Sequence, residues 1–418
     1  MNVLLLGSGG REHALAWKLA KSPLIGQFYA MPGNPGIADV AEAVEGVPLS
    51  AHQTIVSWCQ AHAIELVVVG PEAPLVAGLV DRLKEAGIPA FGPTAAAARL
   101  EGSKLFTKEL CRENGIPTAA FARFSSAPEA AAYVRSTGAP IVVKADGLMA
   151  GKGVVVALNI EEAISAVEGV FAAGGQEVLI EEFMEGEEAS LFCLVDGETV
   201  IPFGSAQDHK RAFDGDLGPN TGGMGAYSPA PVLTADLEAQ AIREIVVPTA
   251  RAMAALGAPY SGILYAGLML TATGPKLVEY NCRFGDPECQ VLMPRLDSDL
   301  LPILAAAATG RLAETEVKWS DRSALTVVYA SRGYPGAHQT GTEIGGLEAA
   351  NEVEGVTVFL AGTKKSGSKL LANGGRVLNV TATGETLQEA RDRAYDAAAR
   401  IKWSGGFYRQ DIGWRALK

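Results

Sequence analysis

The residues best suited to chemistry lie between 276 and 290, read K-L-V-E-Y-N-C-R-F-G-D-P-E-C-Q. Leu277, Val278 and Tyr280 favour a strand, in which alternate side chains share a face. Glu279, Asn281 and, if the strand runs on, Arg283 then point the same way. They bring a carboxylate, an amide oxygen and a guanidinium to one surface. Hard oxygen ligands of that kind suit Mg2+, which keeps water and phosphate oxygens in its shell. The loop Gly285-Asp286-Pro287-Glu288 adds two carboxylates where the strand runs out.

Four other stretches carry polar groups at telling spacings. Between Lys144 and Val154 lies a glycine loop holding Gly147, Gly151, Lys152 and Gly153. Its spacing is one residue short of a P-loop, and Gly153 stands where Ser or Thr is needed. A lysine-bearing loop between two strands can still fold over a triphosphate, with Lys144 approaching from the strand. Glu181, Glu182 and Phe183 end a further strand, at a hinge suited to reading adenine. Glu187 or Glu188 follows at a distance suited to ribose hydroxyls. Residues 205–227 read as a long loop without helix or strand period, and such loops are usually functional or disordered. It carries Asp208, Lys210 and the run Thr221-Gly222-Gly223-Met224-Gly225, whose N–H groups suit an anion; His209 sits between the two charges, with no nucleophile in view. Gly7-Ser8-Gly9-Gly10 is a strand-to-helix turn of the phosphate-holding kind. Glu12 occupies the third glycine position of the dinucleotide fingerprint, and no acidic residue ends the next strand. Asn34 and Glu72 fall beyond the carboxyl ends of neighbouring strands, where open parallel sheets bind ligands.

The elements that must position these groups alternate between strand and helix, as in an α/β enzyme. The first hundred residues read as an open parallel sheet. A single helix is expected over 75–86, another over 94–114 and another over 237–256. After about residue 308 the polar clusters give way to a smaller α+β domain with a closing helix over 386–401. The 418 residues are enough for several domains. A net charge of −12 argues against general nucleic-acid binding. The start of the chain enters a strand with no signal-peptide pattern, and no apolar run is long enough to span a membrane. Cys59, Cys111, Cys193, Cys282 and Cys289 make no zinc spacing, so a reduced, cytoplasmic protein is expected.

In this order, these pieces resemble the ATP-grasp superfamily and, within it, the glycinamide ribonucleotide synthetases (phosphoribosylamine–glycine ligases). The motifs are Gly7-Ser8-Gly9-Gly10-Arg11-Glu12-His13-Ala14, Val69-Gly70-Pro71-Glu72-Ala73-Pro74, Gln207-Asp208-His209-Lys210-Arg211, Gly218-Pro219-Asn220-Thr221-Gly222-Gly223-Met224-Gly225, and Arg283-Phe284-Gly285-Asp286-Pro287-Glu288. The resemblance covers the whole chain. It implies an N-terminal α/β domain over 1–102, a central ATP-grasp domain over 103–122 and 190–324, a flap over 123–189 and a C-terminal domain over 325–418. ATP is implied between flap and central sheet. Lys104, Lys144, Gly151, Lys152 and Gly153 would meet its phosphates, Glu181–Phe183 its adenine and Glu187 or Glu188 its ribose. Glu279 and Asn281 would ligate Mg2+, with Mn2+ as a substitute. Tyr265-Ala266-Gly267-Leu268 lacks the further acidic ligand that many ATP-grasp enzymes carry.

The implied activity joins glycine to 5-phosphoribosylamine through glycyl phosphate, in purine biosynthesis. Lys144, Asp208, Lys210 and Arg283 form the expected catalytic set. Gly9, Gly10, Asn34, Glu72, Asp208, Lys210, Thr221–Gly225, Arg283 and Asp286 form the expected substrate set. The sugar phosphate is expected on the Gly7–Gly10 turn or the Gly222–Gly225 loop. Transient contact with the enzyme that makes phosphoribosylamine fits this reading; nucleic acid and membrane do not. The rival readings are another ATP-grasp ligase or carboxylase, a nicotinamide oxidoreductase, and a nucleotide-binding module without catalysis.

Overall fold

The computed structural model describes residues 1–147 and 153–417. Its first unit is a five-stranded sheet built around Val3–Gly7, an apolar run buried along its whole length. Phe28–Pro32 and Leu66–Val69 flank it in parallel, with Glu42–Ala43 and Ala90–Phe91 at the edges. Near-continuous apolar strands are what a parallel sheet covered on both faces requires.

A second sheet forms the flap. Its strands lie in the order Phe121–Phe124, Val178–Glu182, Ile141–Ala145, Val154–Ala157, all antiparallel. Helices Ala127–Thr137 and Ile160–Ala172 pack together on it. The pairing of Ile141–Ala145 with Val154–Ala157 makes the expected hairpin.

The third sheet is the largest. It runs Gly274–Asn281, Ser261–Thr271, Glu187–Asp196, Thr199–Asp208, Gly225–Ser228, Ser323–Ser331, Arg376–Gly384, Val356–Leu360. The central and C-terminal parts are therefore one continuous sheet, joined where Gly225–Ser228 pairs with Ser323–Ser331. The wholly apolar helix Leu300–Ala308 is buried, and its core cluster also takes in Leu5, Leu15, Phe192 and Phe359 from three units.

Several expectations need correction. Residues 205–227 are not a structureless loop: they hold the end of Thr199–Asp208, the hairpin Arg211–Phe213 with Leu217–Asn220, and Gly225–Ser228. Among the polar residues that hid these strands, Ser205, Gln207, Asp208 and Ser228 are buried inside the sheet. Tyr227 donates its hydroxyl to Gln207, and Ser228 donates to the Ser205 carbonyl at 2.6 Å. The helix expected over 94–114 is two, Ala95–Gly102 and Lys104–Glu113, broken where the Ser103 hydroxyl accepts from the Phe106 N–H at 3.1 Å. Likewise 75–86 splits at Gly78, whose φ of +86° suits glycine. Residues 237–256 carry a π turn, Ile242–Val246, between two α-helical segments.

Candidate active site

A cleft of about 490 Å³ opens between the flap and the large sheet, and the strand Gly274–Asn281 forms one of its walls. That strand does not alternate throughout. Its register against Ser261–Thr271 shifts by one residue around Val278, a bulge that resets which side chains face the cleft. Beyond it the phase holds: Tyr280 and Cys282 enter the core, while Glu279, Asn281 and Arg283 line the cleft. Arg283 keeps to the pattern although the strand stops at Asn281.

Arg283 is clamped. It pairs with Glu72 at 3.3 Å and Glu101 at 3.0 Å, and Glu101 also accepts the Cys282 N–H at 2.7 Å. Burial opposes the guanidinium's charge, but the two carboxylates hold its pKa above the ordinary value. Burial also tends to raise the pKa of Glu72, but Arg283 and Arg11 outweigh it and keep this carboxyl ionised below its usual range; burial, with the Glu72 charge, lifts Glu101 against the pull of Arg283. Glu101 was not anticipated, because a glutamate in a helix reads as solvated.

Opposite lie the lysines. Lys104, at the start of its helix, donates to the Gly147 carbonyl at 2.7 Å rather than facing solvent. Lys144 and Lys108 pair with one carboxylate oxygen of Glu181 at 3.0 and 2.9 Å. The other oxygen, Glu181 Oε1, is buried without a hydrogen-bond partner. Lys108 was missed, although it stands one helical turn from Lys104, where i and i+4 share a face. Gly153 lines the cleft, whereas Gly151 and Lys152 lie outside the described residues. Glu182, Phe183 and Glu187 do not line it: Glu182 pairs with Lys276 at 3.1 Å, and the other two are exposed.

The cleft floor carries Glu188, Lys210, Asp208, Tyr265 and Glu288. Glu188 pairs with Lys210, and Glu288 accepts the Tyr265 hydroxyl at 3.0 Å. Burial opposes the Lys210 charge, yet Glu188 and Asp208 keep it protonated well above the ordinary lysine range. Burial raises Asp208, and burial with the Asp208 charge pushes Glu288 up to about 7.

At the far end the two expected anion cradles are already engaged. The Gly9 N–H donates to Glu12 at 2.7 Å, and Glu12 fills the space a Cβ would need at Gly7, Gly9 and Gly70. Gly222 N–H donates to the Tyr334 hydroxyl at 3.1 Å, and Gly223 N–H to the Thr221 hydroxyl at 3.0 Å. Thr221 and Gly222 line the cleft, with Asp286, Arg11 and Arg376. Gly223 packs against Pro287, while Met224 is buried in the C-terminal core. Gly225 lies against Ile412 and the Thr326 carbonyl. Gly10 lies against Asn379 and Gln290, so it serves close packing. Asn34 sits away from the cleft. Its amide donates to the Ser8 and Leu360 carbonyls at 2.9 and 2.8 Å and accepts from the Gly36 and Ile37 N–H groups at 2.9 and 3.0 Å. It buckles the first sheet to the C-terminal strands. His209 is fully buried, and burial with Arg409 and Arg415 pushes its pKa down to about 3; its Nε2 accepts from Gly413 N–H at 3.3 Å. That imidazole is a structural acceptor.

The metal fit follows from the donor set. Glu279 makes no ion pair among the described residues, and no group of three or more His, Cys, Asp or Glu there forms a metal cage. Two oxygen donors suit a cation that takes its remaining ligands from phosphate and water. A roomier cavity of about 750 Å³ lies within the flap behind Ile141–Ala145, but Val, Ala and Gly dominate its lining and it holds no such cluster.

Comparison with known proteins agrees along the whole length. Family models for phosphoribosylglycinamide synthetase match residues 1–101 (N domain), 102–289 (ATP-grasp A domain) and 324–415 (C domain). The chain is 60% identical to a phosphoribosylamine–glycine ligase of Rhizobium meliloti, covering all of this chain and 99% of that one. It is 53% identical to the Vibrio cholerae ligase, with the same coverage. The crystal structure of the Thermotoga maritima phosphoribosylamine–glycine ligase superposes with a TM-score of 0.85 at 34% identity, over 98% of this chain and 100% of that one. A biotin carboxylase of Campylobacter jejuni shares the fold alone, with a TM-score of 0.73 at 14% identity over 97% and 92%.

Proposed function

The chain belongs to the phosphoribosylglycinamide synthetase family, and from that premise we propose how its residues carry out the ligation. The protein is an ATP-dependent ligase of purine biosynthesis that joins glycine to phosphoribosylamine. An amide forms from a carboxylate only once that carboxylate carries a leaving group. A glycine carboxylate oxygen attacks the terminal phosphorus of ATP, ADP leaves, and glycyl phosphate results. The amine nitrogen then attacks the carbonyl carbon and phosphate departs with its bonding pair. The protein's work in the first step is alignment and charge neutralisation.

Lys104 and Lys144 face the phosphates from two walls of the cleft. The unpartnered Oε1 of Glu181 is an acceptor awaiting a donor, and the exocyclic amine of adenine supplies one. Glu188, held by Lys210, takes the ribose hydroxyls. Glu279 and Asn281 hold the divalent cation, Mg2+ with Mn2+ as a substitute, which neutralises phosphate charge when bound. Arg283, immobilised by Glu72 and Glu101, receives the glycine carboxylate and then the acyl phosphate. The sugar phosphate lies toward Arg11 and Arg376, because the Gly9, Gly222 and Gly223 N–H groups are engaged within the protein. The flap keeps water from the acyl phosphate. The enzyme works in the cytoplasm and receives its short-lived amine by transient contact with the enzyme that produces it.

The observation that carries this assignment is the convergence on one cleft of Glu279 and Asn281, the Lys108–Glu181–Lys144 cluster and Arg283. The test is ADP release with ATP and Mg2+, adding glycine and freshly generated phosphoribosylamine separately and together. ADP only with both, and none from Glu279→Ala, is expected. ADP release indifferent to glycine would overturn the substrate assignment and turn attention to bicarbonate.

A further inference from the structure

The ligation step creates a problem that the residues assigned so far leave unsolved. When the amine nitrogen attacks, it becomes positively charged and must lose a proton inside a cleft closed to water. The carboxylates on the cleft wall are mostly committed. Glu72 and Glu101 hold Arg283, Glu181 holds two lysines, Glu188 holds Lys210 and Asp286 faces Arg376. Glu279 belongs to the cation. Among the described residues, Asp208 and Glu288 are the cleft carboxyls left without an ion pair once the cation has Glu279, and Asp208 already faces Lys210.

Glu288 begins the helix Glu288–Leu292, and only 4% of it is exposed. One carboxylate oxygen accepts from the Tyr265 hydroxyl at 3.0 Å, which is 2.8 Å from the Ser190 hydroxyl. The other lies against the backbone at Gly285, where no Cβ could be accommodated. The carboxylate is thus fixed in orientation, beside the clamped Arg283 that faces the acyl group, and a like charge, Asp208, stands nearby. A buried carboxylate next to another readily takes up a proton, here because burial and Asp208 outweigh the pull of Arg283.

We propose that Glu288 is the proton acceptor for the attacking amine, with Tyr265 and Asp208 as its positioning residues. The nitrogen lone pair forms the C–N bond, the C–O bond to phosphate breaks with its pair, and one N–H proton passes to the Glu288 carboxylate. The groups acting on Glu288 are Asp208 from the Thr199–Asp208 strand, Tyr265 from the neighbouring strand and Arg283 from its own loop. Burial and Asp208 raise it; Tyr265 and Arg283 lower it. The balance leaves it near 7, where a general base works best at neutral pH.

This assignment rests on the ligase reading, and the test separates the two. Full-length Glu288→Gln is mixed with ATP, Mg2+, glycine and in-situ generated phosphoribosylamine in a single-turnover rapid quench. ADP and amide are followed separately. The expected result is amide formation slowed by about 10²–10⁴-fold with ADP appearing at a near wild-type rate. Equal slowing of both, or no slowing, overturns the proposal. Wild-type protein that makes no amide would instead defeat the ligase reading. The pH dependence of amide formation gives a second readout. Tyr265→Phe removes a donor and should move the acidic limb to higher pH, whereas Asp208→Asn removes a like charge and should move it lower. A limb unmoved by both overturns the proposal even if Glu288→Gln fails to fold.

Discussion

Replacing Glu288 by glutamine should make the protein more stable, and only at neutral to alkaline pH. In the folded chain the Glu288 carboxyl keeps its proton up to about pH 7, against an ordinary value of 4.5. Between those values the folded state binds more protons than the unfolded one, so stability is full below 4.5 and falls as pH rises through 7. A gap of about two and a half pH units corresponds to on the order of 3 kcal/mol, of which about 2–3 kcal/mol is lost between about pH 5 and 8. Glutamine keeps the shape and the Tyr265 hydrogen bond without the charge. Denaturation midpoints of both proteins at about pH 5 and 8, with unchanged denaturant slopes, measure the effect directly. The variant should gain about 2–3 kcal/mol at the higher pH relative to its difference at the lower one. A difference that does not change with pH would refute the picture of a buried carboxyl held protonated by burial and the neighbouring Asp208 charge. The gain would accompany lost ligation, the usual relation between a destabilised group and its chemistry.

Three further outcomes follow from contacts at the cleft margins. Arg376→Ala should raise the KM for phosphoribosylamine about 10–100-fold while leaving the KM for glycine in place, as steady-state kinetics with each substrate varied would show. Lys108→Met leaves buried Glu181 with Lys144 alone and should raise the KM for ATP about tenfold, because one of the two charged partners that hold the buried carboxylate in place is lost. Asn34→Leu removes four good hydrogen bonds and should cost about 3 kcal/mol in a denaturation experiment while the KM for ATP stays unchanged.

Which parts of this molecule could be read from the chain alone depended on how far apart the interacting residues lie. The spacing of Glu279, Asn281 and Arg283 is local, and its two-residue period survived because the bulge at Val278 comes before it. Had the bulge fallen one residue later, the same string of letters would have put Glu279 in the core. Most of the first sheet was legible for the same local reason: four of its strands are short apolar runs ended by glycine or proline, whereas the exposed edge strand Glu42–Ala43 carries no such signal. Residues 205–227 were not, because a buried polar residue looks like a surface one until its partner is known. The side-chain oxygen of Gln207 accepts from Tyr227, twenty residues on. Glu101, Arg376 and Tyr334 meet Arg283, Gly222 and Gly222 respectively, each more than a hundred residues away in sequence. The glycine turn at Gly7–Gly10 shows the deeper limit. A turn without Cβ atoms makes room, and the sequence cannot say for what; here Glu12 occupies it and takes the Gly9 N–H that a phosphate would want. The anion-binding role then falls to side chains carrying their own charge, Arg11 and Arg376, brought to the cleft from opposite ends of the chain.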